Sequence, residues 1–141
     1  MALKSKVRDM ETVLFACVHN AGRSQMSAAW FNKLCNPAKA VAISAGTEPG
    51  ERVHPEVIEV MREAGMDLAD IKPQFLSEEL ARQASLLVTM GCGDACPYVP
   101  GLQKLDWPLT DPKGKPANEV RKIRDEVRER VLALIKERGW N

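Results

Sequence analysis

Residues 12–24 read TVLFACVHNAGRS, and the rest of the chain is arranged around them. The first five of these residues are apolar or β-branched, which is typical of a buried strand, and Cys17 ends the run. A segment with helical spacing begins just after Ser24. The pattern predicts a strand, a loop and the start of a helix, with the Cys17 thiol at the first position of the loop.

This loop has the features of an anion-binding site. Backbone N–H groups converge where a loop enters a helix, and the helix dipole adds partial positive charge there. We therefore expect the residues that follow the cysteine to bind an oxyanion. They are Val18, His19, Asn20, Ala21, Gly22, Arg23 and Ser24. The planar fork of Arg23 suits two oxygens of a tetrahedral anion, and Gly22 permits a close approach of the backbone or a positive φ.

The same local field favours the thiolate form of Cys17, which makes this residue a candidate nucleophile. Ser24 can donate a hydrogen bond to its sulfur. The alternative interpretation is a buried structural cysteine at the end of a strand, the common role of a lone free cysteine. The spacing of glycine, arginine and serine after Cys17 favours the catalytic interpretation.

Length and composition indicate one catalytic domain, over residues 12–141, preceded by a flexible leader over residues 1–11. Apolar residues make up 45% of the 141, and 20 basic side chains balance 19 acidic ones. The near-zero net charge argues against nucleic acid or a membrane surface as the main partner. No apolar run is long enough to span a membrane, and the leader lacks the apolar region of a secretory signal. We therefore expect a cytoplasmic protein.

Four cysteines are present, Cys17, Cys35, Cys92 and Cys96. Without an export signal they indicate reduced, functional thiols rather than a structural disulfide framework. A zinc site with four ligands drawn from the two widely separated cysteines, Cys92, Cys96 and the two histidines is an alternative, but the paired spacing typical of zinc ligands is absent. We expect no metal and no tightly bound cofactor.

The remaining pattern is that of an α/β protein. Buried strands are predicted at 12–17, 40–44, 86–90 and 104–107, and helices at 25–34, 55–64, 77–84 and 119–139. A strand, a helix and a second strand within about thirty residues form a βαβ unit, whose strands are parallel. The prediction is a single-domain three-layer sandwich, a four-stranded parallel sheet with helices on both faces. Ligands of such sheets bind beyond the carboxyl ends of the strands, where Cys17 is placed.

Two later segments carry further chemistry. Cys92 and Cys96 directly follow the third strand, so they are expected at the same edge of the sheet as Cys17. Asp111 and Pro112 stand in a loop before the last helix, and a carboxyl group near an anion site can donate a proton to a leaving group.

Cys17, the five residues after it, and then Arg23 and Ser24 resemble the phosphate-binding loop of the low-molecular-weight protein tyrosine phosphatase superfamily, which includes the thiol-dependent arsenate reductases. The resemblance to those reductases covers nearly the whole chain. It includes CVHNAGRSQM at 17–26, SAG at 44–46, VTMGCGD at 88–94, and Asp106-Trp107 with Asp111-Pro112.

Two features favour the reductase branch over the phosphatase branch. Phosphatases of the superfamily usually continue Asp-Pro with a tyrosine, whereas Lys113 follows here. The second feature is the pair Cys92 and Cys96. Reduction of As(V) to As(III) needs two electrons, which two sulfurs provide by forming a disulfide. The alternatives are a phosphatase that hydrolyses phosphate monoesters through a phosphocysteine, and a non-enzymatic sensor of arsenate or phosphate.

The resemblance implies that arsenate, or phosphate or sulfate as mimics, binds in the loop. Cys17 would attack arsenic and Asp111 would protonate the departing hydroxide, in a reaction that serves arsenic detoxification. Cys92 would then attack Cys17 and release arsenite, and Cys96 would attack Cys92, leaving a redox-active disulfide.

An external thiol reductant would then restore the monomeric enzyme. The reductant would be thioredoxin, or mycothiol or glutathione with a glutaredoxin-like protein. The second donor system stays open because only three residues separate Cys92 from Cys96, fewer than in thioredoxin-coupled relatives.

Overall fold

The computed structural model describes residues 10–91, 96 and 99–141. Every strand and helix expected from the sequence is present, with ends that differ by a few residues. In chain order they are β1 (Glu11–Cys17), α1 (Arg23–Leu34), β2 (Ala40–Gly46), α2 (Pro55–Glu63), α3 (Glu78–Arg82), β3 (Leu86–Thr89), β4 (Gln103–Asp106) and α4 (Ala117–Arg138). The expected leader lies mostly outside the described residues.

Within the described part of the chain, four strands form one sheet in the order β2-β1-β3-β4, and each neighbouring pair is parallel. Cys17 is in register with Gly46 of β2, and Ala16 with Thr89 of β3. The carboxyl ends of the three strands therefore meet at one edge, which is where the loop after Cys17 begins. The predicted α/β fold with a parallel sheet is confirmed.

The central strand β1 is buried on both faces, which explains its continuous apolar run. Val13 and Phe15 point into the larger core cluster, which α1, α2 and α4 cover. Leu14 and Ala16 point into a smaller cluster, which includes α3. The alternation of side chains along a strand thus yields the three expected layers.

Local signals fix where the helices begin. Ser77 caps α3, and its hydroxyl accepts a hydrogen bond from the Leu80 N–H at 3.0 Å. Pro55 occupies the first turn of α2, where its missing N–H costs nothing. None of the helices in the described residues has the length and apolar character needed to cross a membrane.

Candidate active site

The loop at the carboxyl end of β1, residues 17–24, is called the anion loop below. The carbonyl oxygens of residues 17–21 each accept a hydrogen bond from an N–H donor on the outer side of the loop. Thr47 N binds Cys17 O at 3.2 Å, Glu48 N binds Val18 O at 2.8 Å, Gly50 N binds His19 O at 2.9 Å, Gln25 Nε2 binds Asn20 O at 3.0 Å, and His54 N binds Ala21 O at 2.9 Å. Five consecutive carbonyls are therefore turned outward.

The orientation of these carbonyls determines where the N–H groups point. In a trans peptide the C=O of one residue and the N–H of the next point in opposite directions, and the described residues contain no cis peptide bond. The N–H groups of residues 18–22 therefore face the centre of the anion loop. The first turn of α1 follows directly. Its N-cap residue is Gly22, which makes no side-chain hydrogen bond to the N–H groups of that turn. This arrangement can bind a tetrahedral oxyanion.

The thiol of Cys17 sits at the bottom of the anion loop, only 2% exposed. Its Sγ lies 2.9 Å from the Ser24 Oγ. Asn20 Nδ2 donates to the same hydroxyl at 2.7 Å, so the Ser24 hydroxyl proton is free to point toward the sulfur. Such a donated hydrogen bond stabilises a thiolate.

Asn20 holds the anion loop in its shape. It is fully buried, and its φ of 52° places it in the left-handed region, which asparagine tolerates better than most residues. Its Oδ1 accepts hydrogen bonds from Gln25 Nε2 at 3.1 Å and from Gln74 N at 3.0 Å. Neither Gln25 nor Gln74 was expected to support the site. The position of Gln25 one residue after the serine was a local signal, whereas Gln74 is 54 residues from Asn20 and gave none.

Arg23 opens α1 and connects the anion loop to the segment after β4. Its Nη1 donates to the Leu109 carbonyl at 3.3 Å, and its Nη2 lies 3.7 Å from Asp111 Oδ2. The Arg23 side chain is 11% exposed and that of Asp111 is 48% exposed. The structure thus pairs Cys17 with Ser24 and Arg23 with Asp111, and the catalytic roles of these residues stay a prediction.

A hollow of about 300 Å³ opens beside the anion loop, and its walls include His19, Arg52, His54 and Lys113. His19 is fixed by a 2.9 Å hydrogen bond between its Nδ1 and the Glu48 carbonyl. Burial lowers the pKa of His54 below its ordinary value, against the opposing influence of nearby carboxylates. His54 is the N-cap residue of α2, and its side chain lines the same hollow.

The other cysteines occupy different places. Cys96 is buried and disulfide-bonded, and it packs in the smaller core cluster rather than in the one that contains Cys17. Cys92 lies outside the described residues. Cys17 and Cys35 are free thiols. Cys35 lies at the end of α1, where burial raises the pKa of its thiol. In the described part of the chain, no three His, Cys, Asp or Glu side chains are grouped so as to hold a metal ion.

Comparisons with known proteins identify relatives on both branches of one family. The sequence model of the low molecular weight phosphotyrosine protein phosphatases matches residues 12–139. The chain is 36% identical over 124 residues to arsenate reductase 2 of Staphylococcus epidermidis, an alignment that covers 85% of this chain and 92% of that protein.

Two solved structures are similar over most of the chain. A thioredoxin-dependent arsenate reductase from Corynebacterium glutamicum superimposes with a TM-score of 0.79 at 34% identity; the match covers 96% of this chain, which spans only 65% of the length of that one. A low molecular weight protein tyrosine phosphatase from T. tengcongensis gives a TM-score of 0.79 at 26% identity, covering 90% of this chain and 99% of that one.

Proposed function

Because the chain belongs to the low molecular weight phosphotyrosine protein phosphatase family, we propose that it uses the anion loop of that family to reduce arsenate to arsenite. The observation that carries the choice of reduction over hydrolysis is the state of the thiols. Cys17 at the anion loop is a free thiol, whereas Cys96 is disulfide-bonded. Reduction of arsenate needs a further sulfur that can form a disulfide, and Cys96 is such a sulfur. Phosphate-ester hydrolysis requires no second sulfur.

The first half of the reaction takes place in the anion loop. Arsenate binds to the N–H groups of residues 18–24 and to the Arg23 guanidinium. The Cys17 thiolate, supported by the Ser24 hydroxyl at 2.9 Å, attacks arsenic and forms a sulfur–arsenic bond. One oxygen leaves as water after Asp111 donates a proton to it. The position of Asp111 at 3.7 Å from Arg23 supports this role, because the guanidinium binds the same anion.

The second half transfers the two electrons. The Cys92 thiolate attacks the Cys17 sulfur, a disulfide forms between them, and the sulfur–arsenic electron pair leaves with arsenic as arsenite. Cys96 then attacks Cys92, which releases Cys17 as a thiolate and leaves a Cys92–Cys96 disulfide. An external dithiol reduces that disulfide, so each arsenate consumes one dithiol and yields one arsenite, one disulfide and one water.

The reductant is a protein of the thioredoxin type, as in the Corynebacterium glutamicum neighbour. Mycothiol or glutathione with a glutaredoxin-like protein is the alternative donor, and phosphate and sulfate are the expected competing anions. We further propose that the protein acts as a monomer in the reducing cytoplasm, where such donors are available.

The test is arsenate-dependent oxidation of NADPH coupled through thioredoxin and thioredoxin reductase. Cys17→Ser should abolish turnover, and Cys92→Ser and Cys96→Ser should each reduce it to a small fraction. Cys35→Ser is the matched control, since Cys35 is also a buried free thiol but lies away from the anion loop. Full thioredoxin-linked turnover in both the Cys92 and the Cys96 variants would refute the relay.

Phosphatase activity is the second candidate, because the phosphatase from T. tengcongensis shares the fold over 90% of this chain. Arsenate and phosphate have the same charge and shape, so weak hydrolysis of aryl phosphates is expected from the same anion loop. Hydrolysis of para-nitrophenyl phosphate that exceeds arsenate reduction in kcat/KM, and that persists in Cys96→Ser, would make the phosphatase the main activity.

A further inference from the structure

The Asp111-Pro112 segment rests directly on the backbone of the anion loop, at Gly22. A Cβ atom on Gly22 would lie 2.8 Å from Pro112 Cγ and 3.4 Å from Pro112 Cδ. It would also lie 3.5 Å from Cδ2 of the His54 ring. The proline ring and the histidine ring therefore occupy the space that a side chain at position 22 would fill.

The space beside Gly22 constrains the residue at this position independently of its backbone conformation. Its φ is −142°, outside the left-handed region in which glycine is favoured. A larger residue at position 22 would have no room for its side chain, because the nearest atoms belong to Pro112, 90 positions along the chain. Gly22 thus serves a contact between the anion loop and a distant segment.

This contact bears on Asp111, which precedes Pro112 in the chain. The Asp111 side chain is 48% exposed, so its own packing does little to fix it. It is held by the Lys113 N–H, which donates to Oδ1 at 3.1 Å, and by Arg23 at 3.7 Å. Since Gly22 and Arg23 are consecutive residues, the segment is attached to the anion loop at two adjacent points, one of them the packed proline ring.

We propose that Gly22 is a positioning residue: by lacking a side chain, it lets Pro112 pack on the anion loop and so places the Asp111 carboxyl beside the bound anion. The inference rests on the proposed function, in which Asp111 is the proton donor. Gly22 acts through Pro112 and touches the reaction only through its backbone N–H.

The expected effect follows from the size of the overlap. Carbon atoms pack at about 3.5–4.0 Å, so a methyl group at position 22 forces the proline ring back by roughly half an ångström or more. A displacement of about 1 Å in a reacting group costs about 100-fold in rate. Gly22→Ala should therefore slow the chemical step roughly 10- to 100-fold.

The experiment compares Gly22→Ala, Pro112→Ala, the double variant and Cys35→Ser. Cys35→Ser is the control, because Cys35 lies at the end of α1, away from the anion loop. Arsenite formation is measured in a single turnover of pre-reduced enzyme, and anion binding by the inhibition constant of inorganic phosphate. We expect Gly22→Ala to lose rate but to bind phosphate within about threefold of wild type. Removing the proline ring in the double variant should restore at least part of the rate, and Cys35→Ser should behave as wild type.

A second comparison uses Asp111→Asn. If Gly22 acts through Asp111, the Gly22→Ala change should add little loss to an Asp111→Asn enzyme. Three results would overturn the proposal: a wild-type rate in Gly22→Ala, full additivity with Asp111→Asn, or a loss of phosphate binding that Pro112→Ala does not relieve. If wild-type enzyme does not reduce arsenate, the proposed function fails instead. The same variants are then compared on phenyl phosphate hydrolysis, where the same pattern is expected and a wild-type rate in Gly22→Ala again overturns the positioning role.

Discussion

Replacing Asn20 by glycine and by alanine separates two contributions of this residue to the anion loop, its side-chain hydrogen bonds and its left-handed backbone. Both variants remove the amide, and with it the hydrogen bonds to Ser24, Gln25 and Gln74. Only alanine also introduces a Cβ at a φ of 52°. The difference between the variants therefore measures the backbone contribution, and their common loss measures the hydrogen bonds.

The magnitudes follow from the number of groups that lose a partner. A buried polar group left without a hydrogen bond costs about 1–3 kcal/mol. Three groups lose one here, of which the bonds of Ser24 and Gln25 are buried and that of the Gln74 N–H is part-buried. Gln25 Nε2 keeps its bond to the carbonyl of residue 20, which reduces the total. We expect a loss in the free energy of unfolding of about 3 kcal/mol for Asn20→Gly. For Asn20→Ala the expected loss is about 4 kcal/mol, because the left-handed backbone costs a side-chain-bearing residue about 1 kcal/mol more.

The assay is urea unfolding of reduced protein, with the slope m required to be equal among variants. Phosphate inhibition of arsenate reduction reports the anion loop separately, and it should weaken in both variants. If the free energy of unfolding of Asn20→Ala is not lower than that of Asn20→Gly, the positive φ does not constrain the residue at position 20. If both variants lose less than about 1 kcal/mol, the amide network does not hold the loop and the structural reasoning is wrong.

Three further predictions concern single positions. Ser24→Ala removes the hydrogen bond offered to the Cys17 sulfur, and since bonds to charged groups contribute about 1.5–3 kcal/mol, single-turnover arsenite formation should slow roughly 10- to 100-fold. Because Asn20 Nδ2 also loses its acceptor, the free energy of unfolding should fall by about 1–3 kcal/mol. Gly46→Ala would place a Cβ 2.5 Å from the Val18 carbonyl, so phosphate inhibition should weaken strongly and urea unfolding should show a loss of about 3 kcal/mol or more; unaltered inhibition would contradict the contact. Burial lowers the pKa of His54, so the folded state resists protonation, and the free energy of unfolding should fall as pH drops below about 6.5. His54→Gln should flatten that dependence in urea titrations at pH 5 to 8, and an equally steep fall would refute the assignment.

The fold could be predicted from the sequence because its signals are local. The apolar run of β1 ends at Cys17, Pro55 marks the start of a helix, and Ser77 caps another, and each of these appears in the structure where expected. The anion loop could be predicted for the same reason, since its cysteine, arginine and serine lie within eight consecutive residues.

The supporting contacts of the site could not be predicted, because they join distant parts of the chain. Gln74 reaches Asn20 only after β2 and its following segment have folded. The contact between Ser24 and the Cys17 sulfur, by contrast, joins residues of one loop, was expected from the sequence and is present at 2.9 Å.

The outward-turned carbonyls of the anion loop have a consequence for mutational tolerance. The donors that hold them include the backbone N–H groups of Thr47, Glu48, Gly50 and His54, which any residue except proline supplies. Side chains in that outer segment can therefore drift through evolution or be randomised in a library while the anion cradle persists. A proline scan of residues 47, 48, 50 and 54 would instead identify the positions at which the support of the anion loop depends on a backbone N–H.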